Sequence, residues 1–313
     1  MKKVIYQRFG SIADLEIAEL AIPTVQPDEL LIKVKAVSIN PIDWKRLEGQ
    51  LKMMTGSNFP KGIAIDFAGV VEKIGGDVSG FKEADAVFGG LDAMKGEALS
   101  EYIVVKAQAV CKKPESVSFE TAAASVTTVV TAQYLMDKCD LQGGDQVLIN
   151  GAAGGVGMEV LQMAKINGLK VTAVASGEGL AFIQRWQPDL VLDYKKQDVL
   201  KQPGIYDAVI ELSGNLPFSK GKALLKQEAV FVSTLPNPID MLKAFLNNLF
   251  SKRKFHIIMA NSTPHHLQQV CEWLTQKGLE VPVAKQYAFA DFKEAYQFAR
   301  KGAVSGKVVI TMS

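Results

Sequence analysis

Cysteine is scarce in this 313-residue chain: Cys111, Cys139 and Cys271 are odd in number and far apart. That excludes the disulfide framework of a small secreted domain and fits reduced thiols in a cytosol. Histidine is equally scarce. His256, His265 and His266 all come late, no Cys-x-x-Cys occurs, and neighbouring histidines at a helix start point in different directions, so metal-ligand spacing is absent. An excess of one charge is missing too. Thirty-five basic residues against 33 acidic ones leave +2, which makes no electrostatic case for nucleic acid or an anionic membrane. The basic clusters Lys112-Lys113 and Lys252-Arg253-Lys254 are short and carry no interleaved aromatic platform. No apolar run approaches the roughly 20 residues of a membrane span. The amino end, Met1-Lys-Lys-Val-Ile-Tyr-Gln-Arg8, meets charge again before a signal-peptide core could form. At 48% hydrophobic and 22% charged, the chain is expected to be a soluble, cytoplasmic protein of two domains.

What is abundant is glycine in one place. A short apolar run, Val147 to Ile149, ends in a turn holding Gly151, Gly154, Gly155 and Gly157. A helix-like segment follows, with apolar residues at Val160, Leu161, Met163, Ala164 and Ile166, and Gly168 closes it. Strand, glycine turn and helix in that order form a cradle for a pyrophosphate. The missing side chains let backbone N–H groups approach the anion, and the positive end of the helix dipole faces it. Gly151, Ala152, Gly154, Gly155, Val156 and Gly157 are therefore expected to bind a dinucleotide.

The choice of dinucleotide is read about 20 residues on. The second strand, Lys170 to Ala175, ends in Ser176-Gly177 where an NAD-selective site places Asp or Glu. An acid there accepts hydrogen bonds from the ribose hydroxyls and repels a 2′-phosphate, whereas Ser176 can donate to that phosphate. The expected cofactor is NADPH. Arg185, Lys195 and Lys196 are candidates for the cationic wall, although Glu178 nearby has the wrong sign; Tyr194 is placed to cover the adenosine side.

Residues 1–114 read as short strands and turns, with Ile32, Val34 and Ala36 alternating against Lys33 and Lys35. Glycine turns at this spacing suggest a small, partly open barrel. Texture changes near Pro114. Ser118 and Thr121 compete to cap a helix, and strands at 146–150, 170–175, 190–193, 206–212, 229–234 and 255–260 then alternate with helices at 155–167, 179–186, 216–226, 239–251 and 263–277. Such alternation predicts a mostly parallel, doubly wound sheet over 115–261. Residues 262–313, with a helix near Asp291 to Arg300 and a terminal strand Lys307 to Met312, are expected to rejoin the first domain. The fold class is α/β.

Several blocks in order resemble one family: Asn40-Pro-Ile-Asp-Trp-Lys-Arg-Leu-Glu-Gly49, Pro60 to Val71 around Asp66, Asp85-Ala-Val-Phe-Gly89, Ser100-Glu-Tyr102, Gly151 to Gly157, and Gly306-Lys307-Val-Val. Nearly the whole chain is similar to the zinc-free medium-chain dehydrogenase/reductases, in particular the quinone oxidoreductase and enone (alkenal) reductase branch. The resemblance implies a GroES-like β-barrel catalytic domain, an inserted Rossmann domain, NADPH, and a homodimer formed through the Rossmann sheet edge. It places Asn40 beside nicotinamide and substrate, gives Asp43 a structural part in the same turn, sets Thr131 near the nicotinamide ribose, and assigns Ser176 and Tyr194 to the adenosine phosphate and ring. Lys45 stands where quinone reductases often have Tyr and enone reductases often have Lys. Zinc members use a Cys and a His-Glu pair in the barrel domain, whereas here its first part, residues 1–114, holds Cys111 and no histidine.

The chemistry then needs only hydride delivery to an electrophilic carbon, exclusion of water, and donors for the oxygen that gains charge. Asn40 and Lys45 are the candidate catalytic donors. A small hydrophobic carbonyl or quinone is the expected substrate, with Trp44, Leu47, Met53, Met54 and Phe59 lining the mouth opposite Leu235, Met241 and Phe245. The alternatives are an NADPH-linked reductase of another carbonyl and a catalytically weak, crystallin-like or regulatory NADPH-binding protein.

Overall fold

The computed structural model describes every residue except 203, 235–237, 303, 304 and 313. The chain forms two compact units: Met1–Thr127 with Asn261–Gly302 and Lys307–Ser313, and Thr128–Ala260 with Ala303–Gly306.

In chain order the first unit supplies β1 (Lys2–Tyr6), β2 (Glu16–Glu19), β3 (Glu29–Ser38), α1 (Pro41–Leu47), α2 (Lys52–Thr55), β4 (Lys61–Gly62), β5 (Asp66–Ile74), β6 (Ala86–Gly90), β7 (Tyr102–Lys106), β8 (Val110–Lys112) and the start of α3 (Phe119–Cys139). The second unit holds β9 (Gln146–Asn150), α4 (Gly155–Ile166), β10 (Lys170–Ala175), α5 (Glu178–Gln184), β11 (Leu190–Asp193), β12 (Tyr206–Glu211), α6 (Phe218–Gly221), β13 (Leu225–Ser233), α7 (Pro238–Phe250) and β14 (Lys254–Ile257). The chain returns through α8 (Pro264–Thr275), β15 (Val283–Ala288), α9 (Phe292–Arg300) and β16 (Lys307–Thr311).

The first unit is organised around β3. Leu30, Ile32, Val34 and Ala36 are buried on it, while Lys33 and Lys35 keep partial access to solvent. Its partners are β5, β7 and β16, all antiparallel, in a curved sheet ordered β15-β16-β3-β5-β6-β8. The last strand of the chain thus pairs with one of the first, with Val309 opposite Ser38. The reason lies in the sequence of that strand: Val308, Val309 and Ile310 are all buried, so it must enter an interior position rather than lie on the surface.

The second unit is a six-stranded parallel sheet in the order β11-β10-β9-β12-β13-β14, the doubly wound order expected of a dinucleotide-binding domain. Strands β9, β10 and β12 are apolar on both faces, as helices on both sides require. A cluster of Leu148, Val209, Phe231 and Phe255 fills one face, with the Phe218 ring stacked on Phe255 at 4.6 Å.

Two segments differ from the sequence expectation. The helix expected at 216–226 shrinks to α6 and one 3₁₀ turn, and β13 begins at Leu225. Leu224 and Leu225 are fully buried there, so tertiary packing overrides local propensity. Ser118 caps α3, its Oγ accepting from the Thr121 N–H at 3.1 Å. The division between units then falls along this one helix, at Thr127, well after the change of texture at Pro114.

Candidate active site

At the end of β9, the turn 151–154 leads into α4, whose N-cap is Gly154. The N–H groups of Gly151 and Ala152 donate to Val174 O at 3.2 and 3.1 Å, and Gly154 N–H donates to Gly151 O at 3.1 Å. These bonds fix the turn against β10. Among the described residues the amides left over are that of Ala153 in the turn and those of Gly155, Val156 and Gly157, which open the helix and have no acceptor four residues back. Gly154 is exposed and Gly155 and Val156 partly so. Gly157 sits inside the curl: a Cβ there would lie 2.1 Å from Gly151 O and 2.8 Å from Ala152 Cα. The turn therefore fits a diphosphate, with amides offered at the positive end of a 12-residue helix. Ala152 and Gly151 shape that cradle; their own N–H groups are spent on it.

A buried network missed by sequence reasoning pins the turn from below. Asn150 Nδ2 donates to Glu211 Oε2 at 2.6 Å and to Ser213 Oγ at 3.0 Å, and Glu211 Oε1 accepts from Ser213 Oγ at 2.8 Å and Gly214 N–H at 2.6 Å. Only the position of Glu211, a charged residue closing the apolar run of β12, hinted at it.

Ser176 and Tyr194 follow the ends of the paired strands β10 and β11, with Ala175 opposite Asp193. Tyr194 N–H donates to Ala175 O at 3.2 Å and its ring is 55% exposed. The Ser176 hydroxyl makes no hydrogen bond among the described residues, and Lys195 is exposed with no ion pair there. Arg185 instead lies over the Phe182 and Trp186 rings, 5.9 and 5.2 Å from their centroids. Lys196 stands 3.9 Å from Asp193. Gly179 has a packing cause: a Cβ there would be 2.8 Å from the Ala153 Cβ. Thr131 lies in α3, 8% exposed.

In the first unit, Asn40 caps α1 and is 2% exposed. Its backbone N–H donates to Asp43 Oδ2 at 2.9 Å, its Nδ2 to Asp66 Oδ2 at 2.8 Å and Ser38 O at 3.4 Å, and its Oδ1 accepts from Lys307 Nζ at 2.7 Å. Lys307 also donates to Ile39 O at 3.0 Å. Asp66 accepts from Thr127 Oγ1 and N–H at 2.7 and 3.2 Å, and Asp43 Oδ2 from the Tyr296 hydroxyl at 3.3 Å. Burial raises the carboxyl of Asp43 to about 7 against the opposing Asn40 hydrogen bond and Arg46 charge. Asp66 is also raised by burial, with Lys307 the main opposing charge. The expectation that the Asn40 amide aims at a substrate oxygen does not fit these partners, because both ends of the amide are already bonded inward. Lys45 differs. It is half-buried on α1, and its ammonium has no acceptor among the described residues. Asp66 and Lys307 were legible as charged residues leading apolar strands; their meeting was not.

The expected apolar wall separates into different environments. Leu47 is fully buried core, and Phe59 packs edge-on against Tyr6 and Phe9 at 5.9 and 5.0 Å. Met53 is 96% exposed, and on α7 Met241 and Phe245 are 47% and 63% exposed. Leu235 lies outside the described residues.

An antiparallel sheet carrying a buried polar cluster, in one chain with a parallel sheet and a glycine-turn cradle, defines a two-unit protein of the dinucleotide-binding class. Comparison with known proteins carries this further. An alcohol dehydrogenase GroES-like domain model matches residues 26–115, and a zinc-binding dehydrogenase model matches 188–310. The chain is 30% identical, over 99% of its length and 98% of the relative's, to the chloroplastic quinone-oxidoreductase QR1 of Triphysaria versicolor. It is 34% identical, over 68% of its length and 58% of the relative's, to the chloroplastic NADPH-dependent alkenal/one oxidoreductase of Arabidopsis thaliana. The solved quinone oxidoreductase of Coxiella burnetii superposes with a TM-score of 0.90 at 27% identity, covering 100% of this chain and 99% of that one. The chain belongs to the quinone oxidoreductase branch of the medium-chain dehydrogenase/reductases, a family of NAD(P)-dependent enzymes. Zinc, named in one family description, does not fit the donors present: no group of three or more His, Cys, Asp or Glu side chains is arranged to hold a metal among the described residues. Nor is any helix of those residues long and apolar enough to cross a membrane.

Proposed function

We propose that this enzyme uses NADPH to reduce quinones, or the conjugated double bond of enones and enals, by direct hydride transfer without a metal. The observation that carries the reading is the end of β10. There, among the described residues, a serine hydroxyl without a hydrogen bond, a Lys195 side chain without an ion pair and an exposed Tyr194 ring follow the ends of two paired strands, with no carboxylate on Ala175 or Ser176; the carboxylate opposite, Asp193, is taken up by the Lys195 N–H at 3.0 Å. That set suits a 2′-phosphate and an adenine face better than a bare ribose. Bound at the glycine turn, the reduced nucleotide supplies the hydride. The amides of Gly155, Val156 and Gly157 hold its diphosphate, and Thr131 serves the nicotinamide ribose.

On the substrate side, hydride addition puts negative charge on the carbonyl or quinone oxygen. Lys45 is the donor for that oxygen, since its ammonium is free to turn toward it. Asn40 acts as a positioning residue: it ties the start of α1, and so Lys45, to Asp66 and Lys307. The homodimer would form at β14, the edge strand of the parallel sheet, beside the exposed apolar residues of α7.

Fluorescence titration with NADPH and NADH tests the cofactor, and a steady-state panel of quinones and alkenals followed at the NADPH absorbance tests the reaction. NADPH is expected to bind at least about tenfold more tightly, the scale of one charge-assisted hydrogen bond. Tighter NADH binding would overturn the cofactor assignment. No oxidation with either substrate class would favour a nucleotide-binding protein without turnover.

A further inference from the structure

Cys111 and Cys271 are 160 residues apart in the chain, yet their sulfurs stand 3.9 Å apart. Cys111 lies in β8 and Cys271 on α8, elements that pack directly against each other in the first unit. Neither thiol is fully buried, so both can meet a small solute. The only other acceptor near Cys271 Sγ among the described residues is Lys112 O, at 3.7 Å. Cys139, by contrast, is buried in α3 with no partner of its kind, and burial pushes its thiol up to about 12.

We propose that Cys111 and Cys271 form a two-electron redox site that reacts with hydroperoxides and closes as an intramolecular disulfide. Cys111 is the attacking thiol. The hydrogen bond from Cys271 lowers the Cys111 thiol from the ordinary cysteine range, against the effect of burial and with a smaller contribution from the Lys112 N–H, so of the two it is the one that ionises more readily. Cys271 moves up in turn, since its proton is the one shared. The Cys111 thiolate attacks the terminal oxygen of a hydroperoxide. The O–O bond breaks, the alkoxide or hydroxide leaves and takes up a proton, and Cys111 becomes a sulfenic acid. Cys271 sulfur then attacks Cys111 Sγ; the S–O bond breaks, the S–S bond forms, and the hydroxyl leaves with the Cys271 proton as water. Two thiols have lost two electrons and two protons, and the peroxide has become two molecules of water, or an alcohol and water. Bond formation needs the sulfurs to close by about 2 Å to the ordinary S–S length.

The position gives the bond a consequence. The inserted unit leaves the first unit after Thr127 and returns at Asn261. A disulfide between Cys111 and Cys271 would tie the strand before that departure to the helix after that return, closing a ring that contains the whole insertion. The oxidised chain should resist unfolding more than the reduced one.

The test uses the full chain, reduced, freed of reductant and treated with stoichiometric hydrogen peroxide. Thiols titrated under denaturing conditions should fall from three to one. Peptide mapping without reductant should find Cys111 joined to Cys271 within one chain, reversed by dithiothreitol with a lower thermal midpoint. In Cys271→Ser the reaction should stop at a sulfenic acid on Cys111 that dimedone traps. Cys139→Ser should leave the cross-link unchanged. A Cys111 that proceeds to sulfinic acid in the unsubstituted chain, three thiols surviving the treatment, or a cross-link between two chains would each overturn the proposal. The mapping of the unsubstituted chain does not depend on how any variant folds.

Discussion

The two units hold their functional groups in opposite ways. Around Asn40, side chains converge on one another: an amide, two aspartates, a lysine, a threonine and a tyrosine share hydrogen bonds inside the first unit, with Asn40 and Lys307 at 2% and 5% exposure and Asp43 Oδ1 left buried without a partner among the described residues. At the glycine turn of the second unit, side chains are missing and backbone amides stand open. The first arrangement is stiff and spent, so it can position a neighbouring group but has little left to offer a ligand. The second is unspent, and its stability is borrowed from Val174 and the Asn150–Glu211 network beneath it. Function here is divided between a scaffold that is full and a cradle that is empty by construction.

Breaking the full side should cost most. Lys307→Met leaves Asp66 and the Asn40 carbonyl facing an apolar chain in a buried site. Stability should fall by about 3–5 kcal/mol, the usual cost of removing one partner from a buried charged network, as read by denaturant unfolding. Next comes the free group that the full side positions. Lys45→Met should lower kcat by about a hundredfold, near 3 kcal/mol of lost oxyanion stabilisation, with NADPH affinity unchanged; equal turnover would remove Lys45 from the reaction.

The empty side is tested by filling it. Gly157→Ala puts a methyl 2.1 Å from Gly151 O, so the turn must shift. The expected loss is about 1–3 kcal/mol of stability, the range for overpacking, together with a larger loss of nucleotide affinity seen in the same fluorescence titration. If stability falls and affinity does not, the turn is structural only.

The smallest effect concerns the protonation of the full side. Asp43 has a folded value of about 7, above that of an unfolded aspartate, so its contribution is complete at low pH and is lost as pH rises through neutrality. The groups facing it are Arg46, Asp66, Lys307 and Tyr296. Asp43→Asn has no such loss. Between pH 5 and pH 7 its stability relative to the native chain should improve by about 2 kcal/mol, at roughly 1.4 kcal/mol per pH unit of unequal proton binding. A difference that stays flat with pH would mean that Asp43 is ionised throughout.

Much of the second unit was legible because its rules are local. Period and composition located β9, β10 and β11 to the residue, and the glycines of the turn were chemically specific without any tertiary information. β13 was harder, since Leu224 and Leu225 read equally well as helix until their burial against Phe231 and its neighbours is seen. In the first unit Asn40 was recognisable as a special residue, but its direction was not. Nothing in the spacing of residues 40, 66, 127 and 307 says that their side chains meet, and a donor aimed at substrate looks the same in sequence as a donor aimed inward. Cys111 and Cys271 make the same point, being distant in the chain and 3.9 Å apart in space.

The sequence by itself determined the α/β class, the glycine cradle and the absence of an acid after the second strand of the parallel sheet, because each is written in residues adjacent along the chain. Tertiary structure alone decided which polar groups are spent and which are free: Asn40 bonded into the scaffold, Lys45 without a partner among the described residues, two thiols face to face. The physical reason is that hydrogen-bond satisfaction and burial depend on contacts between strands brought together by the sheet, and the chain carries no local record of those pairings.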